Sequence, residues 1–177
     1  RVDIEGAVFE DTLSLRRASV GGGLELGAVE VRRSLDLRFL ARTGAVDLRD
    51  ARIGGKLRLD GAEIAALDLG AARIDDQVIL SGMVVEQAVN LDKIRGGSDV
   101  LIRRWPHGPV PVFGRVRDPA TAASTGFEDA VLRMNNASLA GRLEIARAEL
   151  RGPVSLDAVR IDEDIWLRDC SVVHGPM

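Results

Sequence analysis

An apolar residue recurs every 11 positions along most of the chain, and no other feature restricts the fold so tightly. Aligned on the first apolar residue of each unit, the series runs Val2, Leu13, Leu24, Leu35, Val46 and Leu57. One residue is dropped before Leu67, the spacing resumes through Val78, Val89 and Val100, and Leu132, Leu143, Val154 and Ile165 recover it after an interruption. Positions 1, 3, 6 and 8 of each unit are apolar, as in Val46, Leu48, Ala51 and Ile53; only Arg42, Gly96 and His107 break the rule. Self-similarity at a fixed period marks a solenoid, in which each unit buries its apolar face against its neighbours.

A period of 11 is also that of a right-handed helical coil, which must be tested first. At about 100° per residue, positions 1, 3, 6 and 8 scatter around a helix and define no face. On extended chain, positions 1 and 3 point the same way, as do 6 and 8. Each unit therefore reads as two very short strands separated by a bend, with Asp, Arg, Glu or Gly facing solvent in between. Glycines gather where units meet, at Gly21-Gly22-Gly23, Gly54-Gly55, Gly96-Gly97, Gly141 and Gly152. There they are expected to supply the positive φ of tight corners.

The units Leu35-Asp36-Leu37-Arg38, Val46-Asp47-Leu48-Arg49-Asp50, Ala51-Arg52-Ile53-Gly54-Gly55 and Ala62-Glu63-Ile64 resemble the pentapeptide-repeat family. That resemblance implies an all-β, four-sided, right-handed parallel β-helix with about 22 residues per coil. About seven coils stacked ~4.8 Å apart would make a rod of ~35 Å. The likeness covers residues 2–94 and 132–172. Leu or Val in the first slot and a five-plus-six spacing mark a degenerate, leucine-rich variant with 11-residue half-coils. It is similar to variants in large actinobacterial proteins labelled membrane-associated oxidoreductases. No glycine-rich turn between a strand and a helix is present to hold a dinucleotide, since Gly21-Gly22-Gly23 lies between two β units. A single domain is expected over 1–177, with repeats at 2–104 and 132–172, either as a piece of a longer chain or as a solenoid whose ends are covered.

Composition narrows the function. Hydrophobic residues make up 46% of the chain but aromatics only 3%, so the core must be aliphatic. A net charge of -3 offers no global field for nucleic acid, and direct nucleic-acid binding is not expected. No stretch of about 18 apolar residues exists to span a bilayer. The one cysteine, Cys170, excludes an internal disulfide and suits a reducing compartment, so a cytoplasmic location is expected. It occupies a sixth slot and should point inward. His107 and His174 lack partners at metal-ligand spacing, and no catalytic, cofactor or metal site is expected.

Three features are left as candidate interaction surfaces. The interruption at about 105–126 carries Pro106, Pro109, Pro111 and Pro119, which remove ladder donors, so it is expected to loop out of the coils. It holds Trp105, His107, Phe113 and Arg115, a mixture typical of recognition loops. Stacking alternate units places Asp3, Glu25, Asp47, Asp68 and Asn90 in an acidic column, and Arg52, Arg73 and Arg95 in a basic column on an adjoining face. The third is the open ends, whose unpaired strands are templates for end-to-end self-association.

The expected function is a non-catalytic scaffold that binds a protein partner or the remainder of a longer chain. Two alternatives stand beside it. Some pentapeptide-repeat proteins mimic duplex DNA and bind type II topoisomerases, a role the acidic column suits. The chain can also be one domain of a larger enzyme.

Overall fold

Inward-facing apolar slots two residues apart, followed by a bend, leave room only for minimal strands. In the computed structural model, which describes residues 1–105, 108–114 and 130–172, the strands are two to four residues long and every pairing between them is parallel. They form four sheets, the faces of a β-solenoid of about seven coils, with no helix among the described residues. The first face stacks β1 (Val2–Asp3), β4 (Leu24–Glu25), β7 (Val46–Asp47), β11 (Leu67–Asp68), β15 (Val89–Asn90), β19 (Leu132–Arg133) and β23 (Val154–Ser155). The second stacks β2 (Val8–Phe9), β5 (Glu30–Val31), β8 (Arg52–Ile53), β12 (Arg73–Ile74), β16 (Arg95–Gly96), β20 (Ser138–Leu139) and β24 (Arg160–Ile161). The third stacks β3 (Leu13–Ser14), β6 (Leu35–Asp36), β9 (Leu57–Arg58), β13 (Val78–Ile79), β17 (Val100–Arg103), β21 (Leu143–Ala146) and β25 (Ile165–Arg168). The fourth holds β10 (Glu63–Ile64), β14 (Val84–Val85), β18 (Val112–Phe113), β22 (Glu149–Leu150) and β26 (Ser171–Val172).

Like residues stack on like. Leu24 pairs with Val46, Val46 with Leu67 and Leu67 with Val89, all essentially inaccessible to solvent. Burial of such a side chain is worth about 1.5–3 kcal/mol, repeated at every step. The end coils lack this cover on one side: Ile165 and Leu167, inward slots of the last coil, are 54% and 61% exposed.

The corner geometry departs from the sequence expectation. Positive φ falls at the fifth position of every unit but the tenth, at Arg17, Ala28, Phe39, Asp50, Ala71, Lys93, Asn136, Arg147, Ala158 and Asp169, with glycine there only at Gly6, Gly61 and Gly82. The third-position carbonyl accepts from the sixth-position amide, as in Ala51 to Leu48 (3.1 Å) and Ala72 to Leu69 (3.0 Å), which is the signature of a type II turn. The junction glycines serve another purpose. A Cβ on Gly97 would lie 2.2 Å from the Asp75 carbonyl oxygen, and one on Gly54 2.4 Å from that of Arg32. They are small because the coil above comes that close.

Two of the three irregular slots resolve into one-off substitutions. Arg42 turns outward with φ 49°, and Thr43, 3% exposed, takes the inward place and bridges to Ile64. Gly96 does face inward, and Leu139 of the next coil fills the space a Cβ would occupy, with its Cδ2 only 2.7 Å away.

The third slot corrects the reading of the interruption. Val112–Phe113 returns to the solenoid as β18, between Val84–Val85 and Glu149–Leu150, with Phe113 in register with Val85 and Leu150. Phe113 therefore stands in register where the spacing counts the tenth unit's eighth slot, and it is fully buried. Proline on either side does not prevent this, because the pairing uses the amides of Val112 and Gly114, which donate to Met83 and Val85. Replacing Phe113 by Ala should cost about 3–5 kcal/mol by emptying the largest buried side chain. Chemical denaturation checks it; a cost under about 1 kcal/mol would return this segment to the loop.

Candidate functional site

The acidic column exists as a stacked register: Asp3 pairs with Glu25, Glu25 with Asp47, Asp47 with Asp68 and Asp68 with Asn90. Its members do local work. The second-position side chain accepts the amide of the fourth position, which the turn leaves without a ladder partner: Asp47 Oδ1 takes Arg49 (2.9 Å), Asp68 takes Gly70 (2.8 Å) and Asn90 takes Asp92 (3.0 Å). Short polar side chains are suited to this bond. Further along, where Arg133 and Ser155 occupy the second position, the bond is made from the coil before: Asp92 Oδ1 accepts the Asn135 amide and Asn135 Oδ1 the Asp157 amide.

The column is also neutralised. Arg49 lies 2.5 Å from Asp47 and 4.0 Å from Asp68, Arg1 approaches Glu25 at 3.6 Å, and Asn90 donates to Asp68 at 2.9 Å. On the third face Asp36 pairs with Arg38 in the same way. Hydrogen bonding by Arg38 and Arg49, outweighing burial, holds the Asp36 and Asp47 carboxyls below the usual carboxylate range.

Of the four candidate residues of the interruption, the two that are described, Trp105 and Phe113, do not share a site. Trp105 lies flat on Phe39 at the corner between the third and fourth faces, with ring centroids 5.0 Å apart and planes 24° apart. Arg16 and Arg17 reach the same Phe39 ring at 5.5 and 5.8 Å. Gly61 and Gly82 lie beneath, and a Cβ on Gly61 would meet Phe39 at 2.9 Å. Trp105 thus fastens the start of the insertion to the solenoid wall, while Phe113 is in the core. His107 and Arg115 lie outside the described residues.

Cys170 packs against the core with Sγ 3.1 Å from the Ile145 carbonyl oxygen. No group of three or more His, Cys, Asp or Glu among the described residues is placed to hold a metal ion, and no described helix is long and apolar enough to cross a membrane.

The basic column is also in register, Arg52 beside Arg73 and Arg73 beside Arg95 on the second face. Arg73 pairs with Asp75 at 2.9 Å. A groove of about 890 Å³ runs past these arginines and Lys93, over Gly54 and Ala71. A second groove of about 990 Å³, on the corner with the first face, shares Ala71 and Lys93 with it. Sequence reasoning found the arginines but not Lys93. The signal was available, because a fifth-position residue in a type II turn projects at a corner.

Compared with protein-family models, with curated proteins and with solved structures, the chain finds no match.

The depressed carboxyls make stability depend on pH. A group with a lowered folded pKa contributes stability above its unfolded pKa and loses it as pH falls through the folded value. The melting temperature should therefore fall on acidification from about pH 5 to about pH 3, where unfolded carboxylates bind protons. The double change Asp36→Asn and Asp47→Asn should flatten that fall. An unchanged acid slope in thermal melts would show that these pairs contribute nothing.

Proposed function

We propose that this chain is a non-catalytic β-solenoid scaffold, of pentapeptide-repeat character, that presents its outer faces to a protein partner. The observation that carries the reading is the locking of outward side chains into columns at the coil spacing. Asp47 and Arg49, Arg58 and Asp60, and Glu149 and Arg151 are ion-paired within their own coils at 2.5–3.0 Å. A surface fixed in this way loses little side-chain entropy on association, which favours a binding face.

The duplex-DNA mimic acting on a type II topoisomerase is supported by the in-register acidic column. It is weakened by Arg1 and Arg49, which neutralise the stripe it needs. A site in a larger enzyme has no metal-binding cluster of His, Cys, Asp or Glu in its favour among the described residues.

Photo-crosslinking from one outward position on each face, in cells that make the protein, tests the proposal. Crosslinks to one discrete protein, concentrated on one face, are expected. Absence of crosslinks from all four faces would overturn it. Inhibition of supercoiling by the purified chain, reduced by charge reversal at Asp47 and Asp68, would replace it with the mimic.

A further inference from the structure

Nearly every basic side chain among the described residues has a partner, and the exceptions cluster. Arg42, Arg52, Lys93 and Arg95 make no ion pair, side-chain hydrogen bond or ring contact, and of these Arg52, Lys93 and Arg95 line the second-face groove. Elsewhere the solenoid neutralises its charge ladders step by step, as Arg49 does between Asp47 and Asp68. Here three arginines stand on adjacent strands, about 4.8 Å apart, where like charges repel. Only Arg73 is paired, to Asp75. Glu30 stands in register with Arg52 yet forms no ion pair with it. The groove floor is bare for a reason built into the fold, because Gly54 has no room for a Cβ beneath the Arg32 carbonyl.

From this we infer that the second-face groove binds a chain of phosphoryl groups along the solenoid axis. The inference does not rest on the scaffold reading. Guanidinium groups bind oxyanions through paired N–H donors, and their planar forks match phosphate oxygens. A tetrahedral phosphoryl group can offer oxygens to two guanidinium groups one coil apart at once. A carboxylate has only two oxygens, with lone pairs confined to one plane, and is less suited to bridging forks stacked along the axis. A chain of such groups follows the column across β8, β12 and β16, with Lys93 meeting it at the corner. The phosphoryl chain can come from an inorganic polyphosphate or from the phosphodiester backbone of a single-stranded nucleic acid.

Titration calorimetry at low salt, with tripolyphosphate, an oligothymidylate and an oligoglutamate as probes, tests it. Tripolyphosphate or the oligonucleotide should bind, the tighter of the two naming the source, and the oligoglutamate at least about tenfold more weakly. Arg52→Gln with Arg95→Gln should weaken binding by about tenfold or more, since each charge-assisted bond is strong. Arg17→Gln with Arg147→Gln removes the same charge from the opposite corner and should change affinity less than about twofold. Circular dichroism spectra identical to the parent's keep the comparison valid. Binding of neither phosphoryl probe, equal binding of oligoglutamate, or an equal loss in the two double variants would each overturn the assignment.

Discussion

The backbone ladder between coils does not stop at the strands; it runs on through the turns. The amide of the left-handed residue donates to the next coil, Ala71 to the Asp92 carbonyl at 2.8 Å and Asp50 to that of Gly70 at 3.0 Å. A non-glycine residue in the left-handed region costs about 1–2 kcal/mol. Here that cost recurs at ten units and is offset by the inter-coil bond and by the apolar slots the turn aligns. Each coil is thus defined by its neighbours, in the nearest-neighbour manner of repeat proteins.

The same constraint sets the surface. Because the turn uses the fifth-position amide for the ladder, the fourth-position amide needs a side-chain acceptor, and Asp or Asn at the second position supplies it. An acidic column is the by-product, so the turn alone is enough to account for it. The junction glycines, fixed by close approach of the coil above, clear the floor between the arginines of the second face. Structural demand accounts for the first column and leaves the second unexplained. This difference is why the basic face, and not the acidic one, carries the binding inference.

Fold and site were unequally legible in the sequence. The inward slots could be read because burial acts identically on every coil, and the register of Leu24, Val46, Leu67 and Val89 follows from it directly. Corner glycines were misread because glycine has two uses, positive φ and absence of a Cβ, and a sequence cannot separate them. Phe113 was assigned to a loop because the prolines around it are legible while the single pairing that returns it to the core is not. Pairing states were the least visible: whether Arg49 or Arg52 finds a carboxylate depends on its neighbours two residues away and one coil away.

Residue-resolved amide hydrogen exchange is the most direct test of a ladder that continues through every turn. The amides of Asp50, Gly61, Ala71, Gly82 and Lys93 should exchange as slowly as those of the strands beside them, and Val112 and Gly114 should share that protection. Rapid exchange at those turn amides, with protection confined to the strands, would contradict it.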